Sequence, residues 1–237
     1  MSTITMTDTS EPRWHTYEDA DAVARATADW ILGAARTAMA EGRNFRLVLA
    51  GGRTPEKAYR LLTNADTDWG GWEIFYGDER CLPVDDSERN SVMARRAWLD
   101  QVDIPASQDH PIPAELGSES AAAAYGDLIS SVLPFDLVLL GIGEDGHTAS
   151  LFPGHEHSAD ELVHPVHDAP KPPPDRVSLS RNTLANTRGL LVLVTGDSKC
   201  NAVDAWKNGE SIPVASIHPE SGVDVLIDHA ALGTRPA

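Results

Sequence analysis

Basic residues are scarce in this chain: 19 Lys and Arg stand against 36 Asp and Glu in 237 residues, a formal net charge of −17. Nucleic-acid binding needs a basic face that neutralises phosphates, and no Lys/Arg cluster supplies one. Cysteine is almost absent. Cys81 and Cys200 make no disulfide framework and point to no oxidising compartment, and Cys81 fits a small packed apolar residue better than a reactive thiol. No apolar run approaches the ~20 residues of a membrane-spanning helix. Residues 1–12 are Thr/Ser-rich and acidic, without the basic and apolar regions of a signal peptide. They read as a frayed tail, followed by one catalytic α/β domain over 13–237. The expectation is a cytoplasmic protein with neither a nucleic-acid nor a membrane partner. At 41% hydrophobic, the chain can bury a substantial core.

Apolar runs of strand length recur at 45–50, 72–76, 135–140, 190–194 and 223–227, with helical patterns between several of them. The first helix is expected over 17–40, ended by Gly42. Others are expected after Thr54-Pro55, from Asn90 through Trp98, over 120–132, and from Ser198. Strands alternating with helices, and runs apolar enough to be covered on both faces, predict a doubly wound, mainly parallel, Rossmann-like sheet with helices on both faces. No internal repeat is present. Residues 155–176 hold His155, His157, His164 and His167 among five prolines. A metal site wants a firmer frame than such a segment offers, so it reads as a mobile surface loop near the site, with no metal.

The densest information lies at 134–154, PFDLVLLGIGEDGHTASLFPG. A buried strand breaks into Gly141, Gly143 and Gly146, then His147, with Thr148 and Ser150 able to cap a helix starting there. Open α/β sheets place their chemistry at the carboxyl ends of such strands. The string also matches G-x-G-x-x-G, but Pro153 and Gly154 stop any helix within two turns, and no strand precedes Asp160 or Glu161. Both contexts are required for a dinucleotide site, so no such cofactor is expected. No G-x-S-x-G surrounds Ser150, which leaves direct water attack simpler than a covalent intermediate. His147 suits a general base at neutral pH, and a helix start would favour its neutral form; a capping or packing histidine is the alternative. Asp145 is the acidic residue nearest to it in sequence.

Cations beside glycine turns are informative in so acidic a chain. The Gly51-Gly52-Arg53-Thr54-Pro55 turn fits a phosphate cradle at a helix N-terminus or an ordinary strand-to-helix turn. Arg80 follows another strand end and fits either an anion fork or a salt bridge to Asp78, Glu79 or Asp85. Lys199, after Gly196, fits a phosphate contact or an exposed helix lysine.

Four blocks in order resemble the 6-phosphogluconolactonase family. They are Leu49-Ala50-Gly51-Gly52-Arg53-Thr54-Pro55; Tyr76-Gly77-Asp78-Glu79-Arg80-Cys81-Leu82-Pro83 with Ser87 and Asn90; Asp145 to Gly154; and Val194-Thr195-Gly196-Asp197-Ser198-Lys199. Family members often carry Ser where this chain has Arg53. The resemblance implies a sugar-phosphate isomerase type of fold, no cofactor, and hydrolysis of 6-phospho-D-glucono-1,5-lactone in the oxidative pentose phosphate pathway. It implies His147, Arg80 and Asp145 as catalytic residues, with Gly51, Gly52, Arg53, Thr54, Gly143, Gly146, Arg176 and Lys199 binding substrate. Arg176 enters because Val177-Ser178-Leu179-Ser180 matches a further family pattern. An amino-sugar-6-phosphate isomerase/deaminase is the rival, but its usual Asn-Glu-Pro continuation is replaced here by Ser150-Leu151-Phe152-Pro153. A non-catalytic sugar-phosphate sensor would normally carry a DNA-binding segment, for which the chain has neither room nor charge.

Overall fold

The computed structural model describes residues 11–156, 158 and 160–234. The expected tail falls largely on residues 1–10, outside that range. A six-stranded sheet forms the centre, in the order β1-β9-β8-β5-β2-β3, with every neighbouring pair parallel. Its strands are β1 (Arg13–Tyr17), β2 (Phe45–Leu49), β3 (Trp72–Tyr76), β5 (Leu137–Gly141), β8 (Leu190–Val194) and β9 (Val223–Asp228). All of β8 and β9 is buried, as strands covered on both faces must be. The helices are α1 (Ala20–Ala40), α2 (Arg53–Leu62), α3 (Asn90–Ala97), α4 (Ser118–Ser130), α5 (Arg181–Ala185) and α6 (Cys200–Lys207).

The order of the strands positions the site. From β2 the chain crosses to β3 on one side, whereas β5, β8 and β9 lie successively on the other. Connections therefore diverge between β2 and β5. That divergence opens a crevice at their carboxyl ends, where open parallel sheets bind ligands. Residues 50–52 leave β2 there, and residues 142–147 leave β5.

Several expectations need correction. The first helix starts at Ala20 because Asp19 caps it, accepting from the Ala22 N–H at 2.8 Å; Tyr17 instead ends β1, whose pairing with β9 lies more than 200 residues away in sequence. A second, antiparallel sheet, β4-β7-β6, was not expected. It consists of β4 (Asp78–Arg80), β6 (Val163–Val166) and β7 (Arg176–Leu179), so part of the segment read as irregular is strand. These strands are only 3 to 4 residues long, too short for periodicity to show. No helix follows Gly146; Thr148 and Leu151 pair across a tight turn instead. Residues 197–199 form a single 3₁₀ turn ahead of α6.

The residue preceding α3 is Arg89, and no side chain of its own caps the helix. Glu79, fully buried, performs that task across the chain. Its carboxylate accepts from the Asn90 N–H at 2.7 Å, the Ser91 N–H at 2.9 Å and the Ser91 hydroxyl at 2.7 Å. This satisfies orphan donors of the first turn and favours a negative charge at the positive end of the helix.

Candidate active site

A cleft of about 210 Å³ occupies the crevice, bounded by Gly51 and Gly52 after β2, by the 141–143 turn after β5, and by Arg80, His147 and Arg176. The His147 side chain is only 17% exposed, and its Nδ1 lies 2.5 Å from Asp145 Oδ1. An ionised carboxylate only accepts, so Nδ1 carries the proton and Nε2 is left as the acceptor. Burial lowers the His147 pKa below its ordinary value, against the opposing bond and charge of Asp145. Neutrality is thus favoured by desolvation rather than by the helix start that the sequence suggested. Burial pushes the Asp145 carboxyl up, but its bonds to His147 outweigh this and hold it below the ordinary range.

Gly143 makes the geometry of this pair possible. A Cβ at that position would lie 1.9 Å from His147 Nδ1 and 2.6 Å from Asp145 Oδ1, so only glycine leaves room for the ring. The Gly143 N–H donates to the His147 carbonyl at 2.7 Å, and the Gly146 N–H to the Gly143 carbonyl at 3.0 Å. Both amides are committed to the turn. They shape the loop and have no donor left for a substrate. From the other side, the Phe152 ring backs the imidazole, with centroids 4.8 Å apart.

The opposite wall begins at α2. Gly52 precedes the helix at φ +111°, a left-handed conformation open to glycine, and offers no side-chain cap. The N–H groups of Gly51, Gly52, Arg53 and Thr54 have no acceptor among the described residues. Free donors at the positive end of a helix make a ready site for an anion. The Thr54 hydroxyl pairs with that of Thr195 at 2.6 Å. Arg53 lies close enough for its charge to act on Lys199. Burial, offset by the nearby Glu144 carboxylate, lowers the Lys199 pKa.

Arg80 and Arg176 are direct partners across the β4–β7 pair, and both line the cleft. Like charges in register repel. Asp78, buried beside them, supplies compensating charge, as its effect on Arg176 shows. One Arg80 nitrogen donates to the Glu88 carbonyl, whereas its Nε is buried with no partner. Among the described residues Arg80 makes no salt bridge to Asp78, Glu79 or Asp85. Arg176 is engaged elsewhere: Nε donates to the Pro173 carbonyl at 3.1 Å, and Nη2 to those of Lys171 and Pro172 at 2.9 and 3.0 Å.

The structure also brings in residues that the sequence left aside. Asp78 accepts from the Ser150 hydroxyl at 2.7 Å and from Asn90 Nδ2 at 3.1 Å. Asn90 Oδ1 lies over Gly51, where a Cβ would come within 2.0 Å of it. Both belong to the block around Arg80, and a buried acid flanking that arginine was a usable signal. The thiol of Cys81 is pushed up by burial to about 11, which disfavours the thiolate. Among the described residues no group of three or more His, Cys, Asp or Glu is placed to hold a metal; His157 lies outside them. His155 packs on Phe152, His164 bonds Glu161, and His167 bonds Asp175 and Glu119.

Fold and site define a parallel α/β protein with a histidine–carboxylate pair and an arginine facing an uncapped helix end at the sheet's switch point. The chain belongs to the family of glucosamine-6-phosphate isomerases and 6-phosphogluconolactonase, whose profile matches residues 18–226. It is 36% identical to the 6-phosphogluconolactonase of Mycobacterium leprae, over 93% of this chain and 97% of that one. The crystal structure of 6-phosphogluconolactonase from Thermotoga maritima superposes with a TM-score of 0.86 at 26% identity, covering 92% of this chain and 100% of that one. A monomeric glucosamine-6-phosphate deaminase shares the fold, with a TM-score of 0.81 at 24% identity over 94% of this chain and all of that one.

Proposed function

We propose that this protein hydrolyses 6-phospho-D-glucono-1,5-lactone to 6-phospho-D-gluconate, the hydrolytic step of the oxidative pentose phosphate pathway. One observation carries the reading: His147, held by Asp145 with Nε2 free, shares a cleft with Arg80 and faces the open N–H groups of the 51–54 turn. A base, an oxyanion partner and an anion anchor are the three elements that hydrolysis of a phosphorylated lactone needs. In this scheme the 51–54 amides and Lys199 hold the phosphate. His147 Nε2 takes a proton from water as the water oxygen bonds to the lactone carbonyl carbon. Arg80, whose Nε has no partner among the described residues, stabilises the resulting oxyanion. Collapse of the tetrahedral intermediate breaks the bond to the ring oxygen, which receives the proton from the imidazolium. Asp145 keeps Nδ1 protonated throughout and stabilises the transient cation.

The residues that act span β2 to α6, so residues 13–237 are read as one catalytic domain. Among the described residues no helix is long and apolar enough to cross a membrane. With the acidic composition, this supports a cytoplasmic enzyme whose partner is a small phosphorylated lactone rather than nucleic acid or lipid. The test is direct: with phosphogluconolactone the protein should release acid well above the spontaneous rate, and with glucosamine 6-phosphate it should release no ammonia. Ammonia release without acid release would overturn the reading.

A further inference from the structure

Asn90 is only 6% exposed, yet it lines the cleft. One end of its side chain is committed: Nδ2 donates to the Asp78 carbonyl at 2.9 Å and to the Asp78 carboxylate at 3.1 Å. Turning the amide over would set its oxygen against those two acceptors, so the network fixes which end is which. The backbone is held as well, because the Asn90 N–H donates to the Glu79 carboxylate at 2.7 Å. Oδ1 is left over. Among the described residues no donor is bonded to it. It occupies the space that a side chain at residue 51 would fill, 2.0 Å from where the Cβ would stand.

A buried acceptor is costly to leave unmatched, and one already fixed through its neighbours loses little freedom when a ligand donor arrives. The chemistry of that donor follows from the substrate. An ionised phosphate, a lactone carbonyl and a ring oxygen only accept, so an amide oxygen has nothing to gain from them. The hydroxyls on ring carbons 2, 3 and 4 are the groups that donate. Asn90 also stands in the right part of the cleft. It joins the Gly51 turn, assigned to the phosphate, to the strand that carries Arg80, assigned to the carbonyl. The three hydroxyls lie between those two ends of the substrate.

We propose that Asn90 is a specificity-determining residue whose Oδ1 accepts a hydrogen bond from one ring hydroxyl of the lactone. The inference rests on the proposed function and deepens it, since it assigns a reader to the part of the substrate between phosphate and carbonyl. It also gives Gly51 a second task, because any side chain there would evict the acceptor.

The test measures kcat/KM by acid release from 6-phosphogluconolactone and from its 2-deoxy, 3-deoxy and 4-deoxy counterparts, each divided by its spontaneous rate. Wild type and Asn90→Ala are compared. The wild type should disfavour one deoxy lactone by roughly ten- to hundredfold, and Asn90→Ala should shrink that preference to within about threefold while leaving the other two unchanged. A residue that only supports Asp78 would lower all four lactones together. That result, or a wild type that treats the three deoxy lactones like the parent, would overturn the role of Asn90 and leave the proposed function standing. If a thermal melt shows Asn90→Ala to be unfolded, Gly51→Ala takes its place. Its Cβ displaces Oδ1 but leaves the amide's partners intact, and any harm to the phosphate anchor is common to all four lactones and cancels in the ratio. A preference that survives in Gly51→Ala would equally overturn the assignment. A wild type that does not hydrolyse the parent lactone would remove the proposed function itself, and the role of Asn90 with it.

Discussion

Replacing Gly143 with alanine should disable the enzyme while leaving it folded. Gly143 is not in the left-handed region, so its backbone accepts a side chain. The obstacle is the dyad. The new Cβ would sit 1.9 Å from His147 Nδ1 and 2.1 Å from Cε1, whereas carbon contacts settle near about 3.5 Å. The imidazole must therefore shift by about 1.5 Å, a displacement of a side-chain ring rather than of backbone, taken up against Phe152. A misplacement of about 1 Å at a reacting group costs roughly 10²-fold in rate, and outright loss of a general base about 10²–10⁴. The expected loss in kcat is thus roughly 10²–10³, equivalent to about 3–4 kcal/mol of transition-state stabilisation. The assay is acid release from freshly prepared phosphogluconolactone, corrected for spontaneous hydrolysis, beside a thermal melt. A Gly143→Ala protein that keeps kcat within about threefold of wild type would refute the claim that the Asp145–His147 geometry is needed.

Asp145→Asn removes the group that raises the His147 pKa, so a pKa already below its ordinary value falls further. The acid limb of kcat/KM should move to lower pH while the plateau drops; an upward shift would contradict the assigned pairing. Arg80→Lys keeps the charge but loses the planar fork, and should lower kcat by roughly 10²–10³ with a modest change in KM. Loss of Tm without loss of kcat would make Arg80 structural only. Glu79→Ala strips buried Asn90 and Ser91 of their acceptor and should cost about 3 kcal/mol. In a chain of this size that is about 6–12 °C in Tm, measured by calorimetry; a shift under about 2 °C would refute the capping role.

The parallel sheet was legible in the sequence because a strand covered on both faces must be apolar throughout, and five such runs stand out. The turns at 51–54 and 143–147 were legible too, since glycines at strand ends carry a backbone demand that does not depend on the rest of the chain. The β4-β7-β6 sheet was hidden because its strands are too short for any period. That His147 pairs with Asp145, two residues away, rests on the Gly143–His147 carbonyl bond that folds the loop back on itself, and no spacing rule contains that bond. Only tertiary structure brings Arg80 opposite Arg176 and lays Asn90 over Gly51. Local pattern reports what each segment can become. Which segments meet depends on the order of strands in the sheet, and that order is set by the packing of the whole core.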